Sequence, residues 1–251
     1  MYFFYNKIIC AKVSIHGGYI HMKSLIKGVI FDLDGTLADT IEDLADSVNK
    51  AMSNNGYPTR SIDYVMASVG SGTRELIRKC LPEDIKQETT KEHTDIIDSV
   101  TNDYLEIYHH NFLVKTHMYD GIIDVLEYFK SLGLIMGIVS NKPYDLTNAI
   151  VNKLFPGYFH TVFGMNKSFP RKPDPSSTIY VAKTLNINPE NCLFVGDSEV
   201  DYKTGVNANM PVMSVTWGFR SVEELVQAGS TLLVHKPLDM IDSFNNNFEV
   251  K

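Results

Sequence analysis

Hydrophobic and polar positions along the chain fall into two regimes. Ile26 to Phe31 is a short apolar run with β-branched Ile and Val, closed soon afterwards by Gly35, and it predicts a buried strand. From Ile41 the spacing becomes helical, with Ile41, Leu44, Ala45, Val48, Ala51 and Met52 on one side until Asn54-Asn55-Gly56 and Pro58 end the pattern. A second helix is expected from about Ser61 to Ala67, interrupted by Val69-Gly70-Ser71-Gly72. Thr73 is placed to cap a third helix through Leu81, which Pro82 stops. Ile96, Ile97, Val100, Tyr104, Ile107 and Tyr108 mark the buried side of a longer polar helix. No strand is expected from Asp39 to about Lys115.

Beyond Tyr119 helix and strand alternate. Helices are expected over Ile122–Ser131, Asp145–Leu154, Pro175–Leu185, Val200–Ala208 and Val222–Ala228. Strands are expected over Leu134–Val139, Thr161–Phe163, Cys192–Val195, Pro211–Val215 and Leu232–Val234. Repeated strand–helix units predict an α/β fold, a doubly wound parallel sheet with helices on both faces. The helical stretch then reads as a small all-helical cap domain inserted after the first strand. The expected division is 22–38 with 116–251 as the core and 39–115 as the cap. Residues 1–21 are an extension outside the core, with Met22 as the expected natural start. The Asn245-Asn246-Asn247 tail is expected to fray.

Composition narrows the function classes. With 251 residues, 44% of them hydrophobic, the chain can bury a substantial core in one or two domains. A net charge of −7 argues against a general nucleic-acid binder, although local cations could still hold a phosphorylated small molecule. Cys10, Cys80 and Cys192 form neither a zinc spacing nor a disulfide framework, which makes a reducing cytosol the default location. No apolar run approaches the ~18 to 20 residues of a membrane span, and no signal-peptide pattern opens the chain.

The candidate chemistry lies at the carboxyl ends of the expected strands, where doubly wound sheets bind ligands. The first strand runs into FDLDGTLADT, in which Asp32 and Asp34 are spaced so that an extended backbone would point both the same way. Such a pair needs a cation or a proton between its members, offers the hard oxygen ligands that Mg²⁺ prefers, and could attack phosphorus. An Asx-rich turn is the plainer reading of these residues. Ser140-Asn141 follows another strand and suits phosphate oxygens, though such a pair is also an ordinary turn. Lys172 stands in Arg171-Lys172-Pro173-Asp174-Pro175, a loop stiffened by two prolines, where a lysine would otherwise be solvated. Gly196-Asp197-Ser198-Glu199-Val200-Asp201 adds two acids after a buried strand, and Asp201 is also placed as a helix cap. Together the four motifs supply a nucleophile, a metal cage, donors for phosphate oxygens and a proton donor.

In this ordered set, DLDGTLADT, SNKP, RKPDP and GDSEVD, the chain resembles the haloacid dehalogenase superfamily in its phosphatase branch, from about Lys23 onward. VSNKP, VGDSEVD and Trp217-Gly218-Phe219 leading into SVEEL make the phosphoglycolate phosphatases the most similar group, with Tyr119-Asp120-Gly121 departing from their Tyr-Pro-Gly. The resemblance implies a Mg²⁺-dependent phosphatase acting on a small phosphorylated metabolite such as 2-phosphoglycolate. It implies Asp32 as nucleophile and metal ligand, and Asp34 as acid/base that lends Mg²⁺ its backbone carbonyl. Asp197 and Asp201 complete the metal site, and Ser140, Asn141 and Lys172 hold the phosphate. VGSGTREL resembles the group's substrate-facing cap loop. Gly70 and Gly72 would let its backbone approach the site, and Arg74 would read a distal carboxylate, unless Arg74 is solvated or paired with a neighbouring acid. The same resemblance leaves a sugar-phosphate mutase, a pyrophosphatase and a nucleotidase as alternatives. From a different class come a non-catalytic phospho-receiver and a binding protein with an idle site. The expected enzyme is cytoplasmic, a monomer or homodimer, with no nucleic-acid or membrane partner.

Overall fold

The structure is a computed structural model that describes residues 13–16 and 19–250, with side chains from Lys23. Its centre is a six-stranded parallel sheet formed by Gly28–Phe31 (β1), Ile135–Pro143 (β2), Thr161–Met165 (β3), Cys192–Gly196 (β4), Val212–Val215 (β5) and Leu233–Val234 (β6). They lie in the order β6-β5-β4-β1-β2-β3. Every residue of β1 and β4 is buried, as strands covered on both faces require. Their side chains alternate: Val29, Phe31, Leu193 and Val195 enter one apolar cluster, and Ile30, Cys192 and Phe194 enter another.

Helices cover both faces. Ile122–Ser131 (α6), Tyr144–Leu154 (α7) and Asp239–Asn247 (α11) supply Phe129, Ile150, Met240 and Phe244 to the first cluster. Ser176–Thr184 (α8) supplies Val181 and Ala182 to the second. Glu199–Asn207 (α9) and Val222–Ala228 (α10) complete the core helices.

Between β1 and α6 the chain forms five helices, Ile41–Asn54 (α1), Ile62–Ser68 (α2), Thr73–Cys80 (α3), Glu83–Lys86 (α4) and Lys91–Asn111 (α5). They close around their own cluster, which includes Leu44, Val48, Met52, Val65, Ile77, Val100 and the stacked rings of Tyr104 and Tyr108. The same cluster takes in Leu146 of α7 and Phe219, so the helical layer rests on the strand ends of the sheet. Short antiparallel strands Ala38–Asp39 and His117–Met118 pair where the chain leaves and rejoins the core.

Several expectations are corrected. The Asn245–Asn247 tail does not fray: it ends α11, and Phe248–Glu249 then pairs in parallel with Ser24–Leu25. Met240, Phe244 and Phe248, buried at four-residue intervals, anchor it. Thr73 does not cap α3; it is the first helical residue, and the N-cap position belongs to Gly72, whose φ of +91° suits glycine. The short α4 was not expected. The readings of a natural start at Met22 and of residues 1–21 as an extension fall mostly outside the described residues, where only the backbone pairing of Val13–His16 with Tyr19–Met22 is seen. Among the described residues no helix is long and apolar enough to cross a membrane.

Candidate active site

The switch in strand order falls at β1 and β4. The connections from β1 run outward to β2 and β3, and those from β4 run outward to β5 and β6 on the other side. The crevice beyond that point is where a doubly wound sheet holds its ligand. In-register pairing of Phe31 with both Val195 and Ile138 ends β1 level with β4 while β2 runs on to Pro143, so that Asp32 comes out near Asp197 and the Ser140–Lys142 stretch of β2. A shift in register between Val139 and Pro143 breaks the ladder with β3 at this point.

Asp32, Asp197 and Asp201 each direct a carboxylate oxygen into one cluster, with these atoms within 4.8 Å of one another. Lys172 reaches in from the β3–α8 loop, its Nζ 2.9 Å from Asp32 Oδ1 and 2.7 Å from Asp201 Oδ1, with only 2% of its side chain exposed. Asp197 is fixed separately: Thr36 Oγ1 donates to Oδ1 at 3.0 Å and the Phe219 amide donates to Oδ2 at 2.7 Å. Asp201 closes a capping box with Ser198 at the start of α9. Gly35, at φ +81°, allows the turn after β1 to run against this cluster; a Cβ there would meet Asp197 Oδ2 at 2.4 Å.

The crowding is visible in the acids' titration. Burial, then the neighbouring Asp201, push Asp32 up to about 7 despite Lys172, and burial followed by Asp201 and Asp32 pushes Asp197 up to about 8. Burial also opposes the charge on Lys172, but Asp201 and Asp32 outweigh it and hold its pKa above the ordinary lysine value. The donor set fits a hard divalent cation. It consists only of carboxylate oxygens, Asp197 and Asp201 are buried while Asp32 stays partly open to the cleft, and Asp32 Oδ1 has no hydrogen bond of good geometry among the described residues.

Asp34 lines the same cleft but its side chain stands apart from that cluster. Both of its oxygens are held by Lys142 Nζ, at 2.9 and 3.0 Å. Ser140 and Asn141 lie at the cleft wall with Lys172 behind them. Asn141 accepts from the Lys172 amide at 2.8 Å and donates to the carbonyls of Lys172 and Gly70. Gly70 and Gly72 line the cleft from the helical side. Arg74 does not join it. Its guanidinium is tied to Glu88 and to Asp98, the alternative that the sequence had left open.

The haloacid dehalogenase-like hydrolase family model matches residues 29–215. The chain belongs to this family. Among curated relatives of this hydrolase, phosphoglycolate phosphatase of Psychrobacter arcticus is 32% identical over 81% of the chain and 89% of its own length. Phosphoglycolate phosphatase 1 of Pseudomonas aeruginosa is 29% identical over 88% and 81%. A crystal structure from Lactobacillus delbrueckii subsp. bulgaricus is similar in fold, with a TM-score of 0.79 and 29% identity, covering 91% of this chain and 100% of that one. The hydrolase is therefore a phosphatase acting on phosphoric monoesters.

The cleft of this haloacid dehalogenase-like hydrolase holds residues that sequence reasoning passed over. Lys142 was inside the quoted SNKP block, yet its partner lies 108 residues away. Thr36, inside the quoted DLDGTLADT block, and Arg220, between Trp217-Gly218-Phe219 and SVEEL, were given no role there; Thr36 acts behind the cleft, on Asp197. Arg220 is buried and donates to Glu199, to the carbonyls of Phe219 and Met66 and to that of Val69, gripping the loop after α2 from the core.

Proposed function

We propose that this hydrolase is a divalent-cation-dependent phosphatase of small anionic phosphate esters, with 2-phosphoglycolate as substrate, working through an aspartyl-phosphate on Asp32. The observation that carries this reading is the cluster of Asp32 with the buried Asp197 and Asp201, with Lys172 against it and Asp34 across the same cleft. The names of the curated relatives support the substrate.

Asp32, Asp197 and the backbone carbonyl of Asp34 would hold Mg²⁺, with Asp201 behind them because Lys172 and Ser198 already engage its oxygens. The cation would neutralise phosphate charge and polarise the P–O bonds. Lys172, Ser140 and Asn141 hold the phosphate in line with Asp32. A carboxylate oxygen of Asp32 forms a bond to phosphorus as the ester P–O bond breaks, and the departing oxygen takes a proton from Asp34, which enters this step as the carboxylic acid and leaves it as the carboxylate that Lys142 holds. Asp34 then takes a proton from water, whose oxygen attacks phosphorus and breaks the bond to Asp32, releasing inorganic phosphate. Residues 39–115 act as a cap. The grip of Arg220 and Asn141 on the Val69–Gly70 loop supports a closed position that limits water over the site.

Steady-state turnover of a phosphate-ester panel tests this reading. Activity is expected only with Mg²⁺, lost with EDTA, and highest on 2-phosphoglycolate. Undiminished activity in metal-free protein, or a preference for uncharged esters, would overturn it.

A further inference from the structure

A small phosphate ester with a second anionic group needs a cation at the end of the cleft away from phosphorus. Arg74, the residue the sequence offered, is paired with Glu88 and Asp98 and does not line the cleft. Of the cations near the site, Lys172 serves Asp32 and Asp201, and Arg220 commits its donors to Glu199 and backbone carbonyls. Lys142 is different. Its ammonium is buried, 4% exposed, and spends its contacts on one carboxylate, Asp34, and on the face of the Tyr108 ring at 4.7 Å. A buried ammonium with a single counter-ion and a third N–H to place favours a second anion beside it.

Tyr108 supplies an independent observation. It lines the cleft, is 1% exposed, and its hydroxyl has no hydrogen-bond partner among the described residues. A buried phenol without a partner costs free energy that a ligand oxygen can restore. Burial keeps that phenol protonated and therefore a donor. Leu44, Leu76 and Leu146 line the cleft and belong to the apolar cluster that holds Tyr108, so a charge placed beside Tyr108 is poorly solvated and discriminates strongly.

We infer that Lys142, with the Tyr108 hydroxyl as second donor, is the specificity-determining subsite for the non-transferred carboxylate of the substrate. This rests on the proposed phosphatase chemistry, which puts the leaving oxygen at Asp34. Because Lys142 sits on Asp34, a carboxylate one carbon beyond that oxygen meets the lysine directly. The subsite thus selects phosphate esters of short hydroxy acids.

The test is a ratio: kcat/KM for 2-phosphoglycolate over kcat/KM for ethyl phosphate, in the wild type, Lys142→Met, Lys142→Arg and Tyr108→Phe, each shown by its melting curve to be folded. Loss of Asp34's partner lowers both rates in the lysine variants, so only the ratio reads recognition. Lys142→Met should lower it by about 10- to 150-fold, the worth of a charge-assisted hydrogen bond, and Lys142→Arg by less. Tyr108→Phe should lower it by about tenfold, and it decides the matter if Lys142→Met does not fold. A high wild-type ratio that survives in the variants would overturn the subsite and leave the proposed substrate standing. A wild-type ratio near one would overturn the proposed substrate itself, and the subsite with it.

Discussion

A lysine ammonium as buried as that of Lys172 persists because two carboxylates share it. Charges taken out of water are tolerated only when paired, and here the pairing also aims Asp32 into the cleft. Asp34 is aimed by a second lysine, which holds both of its oxygens and so fixes the side chain facing the same space. Two acids two residues apart therefore acquire two environments, one among carboxylates and one beside a lone cation. If Asp34 is the acid/base, Asp34→Asn should slow formation and breakdown of the phosphoenzyme alike, by about 10² to 10⁴-fold, in single-turnover kinetics. A slowing of one half-reaction alone would deny it the double role. The acids and Lys172 were legible in the sequence because they stand immediately after buried strands or in a proline-bounded loop. The partnership of Lys142 with Asp34 was not, since only the pairing of β1 with β2 creates it.

At the scale of elements, the helical layer meets the core through apolar packing on Leu146 and Phe219, a contact of His109 with Asp145, and a group of polar contacts around one loop. Arg220 and Asn141 from the core donate to the carbonyls of Met66, Val69 and Gly70, and Arg171 reaches Ser71. These carbonyls lie at the end of α2 and in the loop after it; that of Met66 also accepts the Val69 amide, while those of Val69 and Gly70 lie beyond the helix's own hydrogen bonds. Arg220→Ala should raise hydrogen exchange at residues 66–73 by an order of magnitude or more while the sheet amides keep their protection, a loss of ~1.5 to 3 kcal/mol of local stability. Unchanged exchange in that loop would remove the latch. Strand and helix periodicity gave nearly every element of the sheet and its covering helices, because each carries a continuous apolar face. It missed α11, whose Met240 and Phe244 are sparse among Asn and Asp, and α4, too short to show a period.

For the molecule as a whole, the crowding in the acid cluster ties stability to pH, and the proposed cation would enter the same balance. Asp32 and Asp197 titrate at about 7 and about 8 in the folded chain, against an ordinary value of 3.8. Raised folded-state values mean that the folded protein binds more protons than the unfolded between pH ~4 and ~8. The stability those protons contribute is complete below the unfolded pKa and is lost as pH rises through about 7 and 8. The melting temperature of the metal-free protein should therefore fall between pH 6 and pH 8.5. Mg²⁺ should flatten that fall, by binding the folded carboxylates in place of protons. A metal-free melting temperature that does not fall over this range would contradict the crowding at the site.

The most direct test of the central claim, that Asp32 carries the phosphoryl group, is to quench the enzyme in acid within milliseconds of mixing with Mg²⁺ and 2-phosphoglycolate labelled with phosphorus-32. Borohydride reduction of the quenched protein and peptide mapping then locate the acyl phosphate. The account predicts label that appears and decays within a turnover, reduction at Asp32 to homoserine, and neither in Asp32→Asn. Release of labelled phosphate with no bound label, or turnover retained by Asp32→Asn, would contradict it.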